Sequence, residues 1–225
     1  MSNAKIARWS RLLRRCAFAF LPTILGSASG VAKPISYVGG TMLMQEADET
    51  GYSLAADYTL SPKLAVGVFG KKEIKGDRYS FGGPQVNTLL KRWNLPDGQG
   101  NIFTMTGVGI ARDNNPGPSR SHFAAWTGVL ADYETRRIFT SYELRLMYAD
   151  NIEKAAWQRA RVGFAPYLAN YNDVNTWLMI QVDHHPAKDR TTVVTPLVRV
   201  FYKTFLAEAG ISSHGRLMFN WVQQF

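Results

Sequence analysis

Past its first thirty residues the sequence holds no apolar run near the ~20 residues that a membrane-spanning helix requires, which excludes a helical membrane protein. It has a single cysteine, Cys16, so neither a disulfide framework nor a thiolate metal site can be built. No long segment repeats its apolar residues every 3.6 positions, which argues against a helical bundle. No low-complexity tract or shift of composition marks a second domain. Acidic residues are absent from positions 1–32 altogether.

That opening segment has the order of an export signal. Lys5, Arg8, Arg11, Arg14 and Arg15 form a basic region, "AFAFLPTILG" (Ala17 to Gly26) is a short apolar one, and "SASGVA" supplies small residues. A cut is expected after Ala32, leaving 33–225 as the mature domain; the alternative is an amphipathic first helix. Cys16 follows Leu13-Arg14-Arg15, where a lipoprotein signal needs small residues, so lipidation is not expected. Loss of 1–32 removes five of the 26 basic residues and lowers the net charge from +9 to +4. A nucleic-acid partner then loses most of its electrostatic footing.

What the rest of the chain has is alternation. In "YSLAADYTL", Tyr52, Leu54, Ala56, Tyr58 and Leu60 fall on one face and Ser53, Ala55, Asp57 and Thr59 on the other. The same grammar recurs in "FAAWTGVLADY–ETR–RIFTSYELRLMY" and "VVTPLVRVF–YKT–FLAEAGI". It predicts twelve strands, with ten as the alternative count, near 35–46, 52–60, 63–72, 85–94, 101–111, 122–133, 137–149, 157–168, 176–184, 192–201, 205–211 and 216–225. Short turns ("SPK", "LPDGQG", "ETR", "ANYNDV", "YKT") alternate with longer polar loops ("KKEIKGDRYSFGGP", "RDNNPGPSRS", "ADNIEKAA", "HPAKDRT"). The fold class expected is all-β, an antiparallel up-and-down transmembrane barrel.

The non-lipid face carries small residues such as Ala65, Gly67, Gly107, Gly109, Gly128, Gly163 and Ala165. It also carries Asp57, Asp132, Glu143, Arg145, Arg159, Arg161, Arg199 and Glu208, a set suited to a narrow lumen filled by side chains. Buried charges persist only when paired or hydrated, and the hairpin register sets Glu143 and Arg145 against Arg159 and Arg161. Such charges plug a barrel or line a narrow pore, and near-balance of sign favours the plug. Tyr58, Trp93, Phe103, Tyr133, Phe139, Tyr167, Trp177, Tyr202 and Phe205 lie near the short turns, where an interfacial aromatic girdle belongs. Pro196 within strand 10 and Pro166 near the end of strand 8 resist, because a closed barrel has no edge to hide a missing N–H.

With its signal, its turns opposite loops and its ending "RLMFNWVQQF", the mature chain resembles a Gram-negative outer-membrane β-barrel protein at the level of architecture. In that superfamily a terminal phenylalanine, with apolar residues at alternate preceding positions, is read by the barrel-assembly machinery. Leu217, Phe219, Trp221 and Phe225 match that pattern, while Gln223 stands where an aromatic is common. The resemblance implies a bacterial outer-membrane location, with membrane lipid, lipopolysaccharide and the assembly machinery as partners.

Some barrels of this kind are enzymes, with a histidine and a serine two residues apart on a lipid-facing strand. The residues two positions after His122, His184, His185 and His214 are Ala124, Pro186, Ala187 and Arg216, so none fits. Ser212 and His214, with Glu208 nearby, have the reverse order and read as loop residues. Asp183-His184-His185 is the one metal-like cluster, yet adjacent strand residues point to opposite faces. The cations Lys71, Lys72, Lys75, Arg78, Arg112, Arg120, Lys154, Lys188 and Arg190 read as solvated loops or as contacts for lipopolysaccharide phosphates. The function expected is a non-enzymatic small channel, transport accessory or structural envelope protein with a charged, largely filled lumen. The alternatives are an outer-membrane lipid-modifying enzyme and a soluble secreted barrel binding an apolar ligand. No cofactor is expected, and no particular solute is indicated.

Overall fold

The computed structural model describes residues 33–75, 78–116, 121–186 and 192–225. The expected export signal, Arg120, Lys188 and Arg190 lie outside the described residues. Twelve strands form: β1 (Thr41–Ala47), β2 (Gly51–Ser61), β3 (Leu64–Glu73), β4 (Tyr79–Leu95), β5 (Gly98–Asp113) and β6 (Ser121–Thr135). They continue as β7 (Ile138–Ala149), β8 (Glu153–Phe164), β9 (Asn175–His184), β10 (Thr192–Tyr202), β11 (Phe205–Ile211) and β12 (Leu217–Gln224). Each pairs antiparallel with its neighbours in chain order, and β12 returns to β1 through Met42↔Gln224 to Ala47↔Phe219, closing the barrel. Closure leaves no sheet edge unpaired.

At the turn end, Pro62-Lys63, Pro96-Asp97, Arg136-Arg137 and Lys203-Thr204 make two-residue connections. The connection expected to be short after strand 8 is instead 165–174. Pro166 lies beyond β8, whose last backbone bond in this region is Ala165 N–H to Arg137 C=O at 2.9 Å, and Tyr167 Oη donates to Val174 C=O at 2.9 Å to order the connection. At the loop end, "ADNIEKAA" is not a long loop: 150–152 makes a tight turn with Asn151 at φ 54°, so Ala149 pairs directly with Glu153. β4 likewise starts at Tyr79 rather than near 85. β1 starts at Thr41 rather than 35, because Gly39, at φ 83°, and Gly40 turn the preceding residues away from the wall.

The prolines find a common solution. Pro196 stays opposite Ile180 on β9, while the β10–β11 ladder runs only from Leu197↔Gly210 to Tyr202↔Phe205. Pro84 stays opposite Val68 on β3, while the β4–β5 ladder skips from Gly82↔Ile110 to Gln85↔Gly107. Each missing N–H thus falls where one of the two ladders lapses.

Faces are inverted relative to a soluble barrel. Leu54, Val68, Phe123, Tyr142, Ile180 and Leu217, the last 77% exposed, point outward, whereas polar and charged side chains point inward. An apolar wall of this extent is incompatible with solvation, so the soluble-barrel alternative falls. Three aromatics expected in the girdle face inward instead: Phe103, Phe139 and Trp177 are at most 2% exposed. Proximity to a turn does not set parity. Phe139 stands opposite Glu134, and Phe103 opposite Leu89, on the inner face. Tyr58, Trp93, Tyr167, Tyr202 and Phe205 remain exposed near that end, with Tyr133 half-buried beside them.

Candidate functional site: the lumen

The interior is built in two materials. On the inner faces of β3 to β6, toward the loop end, Phe69, Phe81 and Trp126 meet at centroid distances of 5.4–5.7 Å, with Tyr79 stacked on Phe81. Ala55, Ala111, Ala124, Met147 and Ala149 complete that cluster. Gly107 is needed there: a Cβ on it would lie 2.2 Å from Trp126 Cζ2.

The opposite flank, β7 to β12 and β1, carries an ionic network beside an apolar cluster of Phe139, Ala165, Trp177, Met179, Leu197 and Met218. Arg159 Nε donates to Asp183 Oδ1 at 2.7 Å, and its Nη1 reaches Glu46 Oε1 at 3.2 Å. Since β8 and β1 are five strands apart around the wall, that second bond crosses the lumen. Arg159 Nη2 is also 3.7 Å from Asp48 Oδ2. Gln181 donates to Asp183 Oδ2 at 2.6 Å and accepts from Arg161 Nε at 2.7 Å. Arg161 Nη2 lies 3.5 Å from Glu208 Oε2. Glu208 takes two contacts at 2.7 Å from Arg199 and one at 2.8 Å from Asn220. Arg199, 1% exposed, also has its guanidinium 4.7 Å from the Phe139 ring, which gives that inward aromatic a role.

Glu143 stands opposite Arg159 in register, and Arg145 bonds Glu143 on its own strand. Arg145 does not face Arg161: it lies opposite Trp157, and Arg161 opposite Ser141, because the tight 150–152 turn fixes the register. Arg145 instead lies over Phe69 at 5.2 Å, and Lys71, inward on β3 rather than in a loop, over Trp157 at 4.3 Å. These contacts join the two flanks.

Toward the turn end, Asp57 accepts from Gln85 Nε2 at 2.9 and 3.2 Å, and Asp132 from Asn101 Nδ2 at 2.7 Å. Residues 33–35 enter here from below. Lys33 Nζ donates to Gln99 Oε1 at 2.6 Å and lies 3.9 Å from Glu134. Asn87 Nδ2 donates to Pro34 C=O at 3.3 Å, and Ile35 packs with Ala65, Leu89 and Phe103. Burial lowers the Lys33 ammonium pKa against the opposing pull of Glu134 and Asp132. The main interior cavities left are small, about 50 Å³ beside Arg159 and Trp157 and about 70 Å³ among Arg145, Arg159, Arg161 and Arg199.

Asp183 faces inward, into the network. His184 faces outward, with Nδ1 3.1 Å from Thr192 Oγ1, and His185 faces inward with its ring 6.5 Å from Trp157. No three His, Cys, Asp or Glu residues among those described could hold a metal together. The side chains of Ser212 and His214 do not bond each other; the His214 backbone N–H donates to Ser212 Oγ at 3.3 Å. Ser212 Oγ donates to Glu49 Oε2 at 2.8 Å, and His214 Nδ1 lies 2.9 Å from Glu49 Oε1, so the imidazole sits on the carboxylate and not on the serine hydroxyl. Glu49, from the β1–β2 turn, and Glu46 were hidden from sequence reasoning by distance along the chain. Glu46 alone had a signal, its inward parity with Met42 and Met44.

Closed antiparallel strands, even in number, with apolar residues outside and charge inside decide the fold. It is that of an outer-membrane β-barrel. Leu217, Phe219 and Trp221 lie on the outer face of the closing strand, with Phe225 exposed after it, while Met218, Asn220 and Val222 are buried. No family model and no curated protein matches the chain. Among solved structures it is similar to one described as "KdgM porin in complex with disordered oligogalacturonate", at 9% identity over 83% of this chain and 98% of that chain, with a TM-score of 0.45.

Proposed function

We propose that the protein is an exported, integral outer-membrane barrel, porin-like in architecture and non-enzymatic, whose lumen is filled and held closed by its own charged network. The observation that carries this is Arg159 bonded across the bore to Glu46 while also held by Asp183. Cavities of about 50 and 70 Å³ hold a few waters rather than a continuous column. The bonding of both Ser212 and His214 to Glu49 supports leaving out the lipid-modifying reading.

Planar-bilayer recording of the refolded barrel is the test. The native protein is expected to give little current, and Arg159→Ala, which unties the cross-lumen bond, to give discrete openings. Large, stable conductance from the native protein would overturn the closed-lumen reading.

Lipopolysaccharide and the barrel-assembly machinery are partners on this reading. Lys72 and Arg112 support the first: both are exposed at the loop end, in one cross-strand row with Tyr52 and Ser80. The outward face of Leu217, Phe219 and Trp221 and the exposure of Phe225 support the second. Envelope fractionation, with lipopolysaccharide measured in the same preparation, checks the location.

A further inference from the structure

One concavity lies outside the lumen and exceeds the interior cavities described above. It is a groove of about 670 Å³ on the outer face of β4 to β9, toward the turn end. That volume lies within the ~300–1,000 Å³ typical of ligand sites.

Register explains it. One outward row runs Trp93, Gly100, Tyr133, Thr140, Val162, Ile180 across six adjacent strands. The next row runs Ile102, Ala131, Tyr142, Ala160, Val182. Small residues at Gly100, Ala131 and Ala160 make the floor, and Trp93, Tyr133 and Tyr142 make the walls. Ordinary annular lipid needs no such recess, since a plain apolar wall satisfies it.

The rim is cationic. Arg136 and Arg137 form the β6–β7 turn immediately beyond Tyr133 and Thr140, both are exposed, and neither makes an ion pair among the described residues. Lys91, opposite Ile102 and 5.9 Å from the Trp93 ring, lies on the far side of Trp93 from the turns and does not belong to this rim. Two carboxylates lie on this part of the barrel: Asp97 at the tip of the β4–β5 hairpin, and Asp132, which borders the groove while its side chain accepts from Asn101 in the lumen. Two-residue turns mark the periplasmic end of such barrels, which places this rim at the inner leaflet.

We propose that the groove is a binding site for an anionic glycerophospholipid, with an acyl chain along Gly100, Ala131 and Ala160 and the phosphate at Arg136 and Arg137. Aromatic walls at headgroup depth suit the glycerol region, and guanidinium pairs suit phosphate. The inference rests on the outer-membrane reading above.

Native mass spectrometry of the refolded full barrel in nonionic detergent tests it, with phosphatidylglycerol, phosphatidylethanolamine and lipopolysaccharide added separately. Phosphatidylglycerol is expected to bind about tenfold more tightly than phosphatidylethanolamine, a difference of about 1.4 kcal/mol. R136Q/R137Q should erase that preference, and A131L/A160L should abolish binding of both lipids while heat-modifiable migration is kept. Equal binding of the two phospholipids, retention by the filled variant, or preference for lipopolysaccharide would overturn the proposal. So would a dimer that A131L/A160L dissolves, because the occupant would then be a second copy. A chain that never becomes heat-modifiable would instead overturn the outer-membrane reading itself.

Discussion

The two flanks of the lumen solve one problem by different physics. On β3 to β6, toward the loop end, the bore is filled by rings and alanines that pack by shape. On β7 to β12 and β1, beside an apolar cluster of Phe139, Trp177, Met179, Leu197 and Met218, arginines and carboxylates pair with one another. The first flank resembles the core of a soluble domain, where loss of atoms leaves a void. The second has no tolerance for an odd charge. Their weaknesses should therefore differ in kind.

The largest effect is expected at Arg199. Arg199→Ala leaves Glu208 buried with Arg161 at 3.5 Å and Asn220 at 2.8 Å. Breaking a buried pair from one side costs about 3–5 kcal/mol, readable by urea unfolding in micelles. The double variant Arg199→Met, Glu208→Gln removes the charge together with its partner and should recover most of the loss. If the double variant is as unstable as the single one, the ionic flank is held by packing, and the contrast between flanks fails.

The next effect probes the ring-filled flank. In Gly107→Ala the new methyl meets Trp126 Cζ2 at 2.2 Å and Pro84 O at 2.7 Å. Overpacking of this kind costs about 1–3 kcal/mol, and Trp126 fluorescence should shift. Gly163 offers the matched control on the other flank, where a Cβ would meet Met179 Cγ at 2.5 Å. A methionine can swing aside, so Gly163→Ala should cost less. Equal losses at both positions would mean that rigidity does not differ between the flanks.

Sequence alternation carries the strand count, the up-and-down order and the inverted faces, because parity is local and a period of two is written in every segment. Pairing across the bore is not local. Arg159 and Glu46 are 113 residues apart, and nothing near either names the other. The expected facing of Glu143 and Arg145 with Arg159 and Arg161 holds only for Glu143 and Arg159, and Arg145 stands opposite Trp157, for a similar reason: the register depends on a three-residue turn that polar composition made look like a loop. Asp183 illustrates the limit best. Beside two histidines it reads as a metal ligand, while its inward parity commits it to Arg159. Phe139 is the aromatic counterpart, since strand propensity gives no face and a buried guanidinium does.

The smallest effect lies at the loop end, where Glu49 ties the barrel seam together. It accepts from Ser212 at 2.8 Å and from Lys75 at 3.3 Å, with His214 at 2.9 Å, joining the β1–β2 turn to the β11–β12 and β3–β4 loops. Burial pushes its carboxyl pKa up, but the hydrogen bonds from His214, Ser212 and Lys75 outweigh it and hold it below the ordinary 4.5. A carboxylate lowered by folding stabilises the fold above its ordinary value, and that contribution is lost as pH falls through the depressed one. The seam should therefore be insensitive near neutrality and loosen only in acid. Amide protection at Ser212, Ser213 and Gly215, corrected for intrinsic exchange, is expected to fall below pH 4.5 in the native protein. In Glu49→Gln it should be lower throughout but flat across the same range. Parallel acid loss in both proteins would assign the effect to the lumen carboxylates instead, and would make the ionic flank, rather than its loop-end tie, the part of the barrel that senses protons.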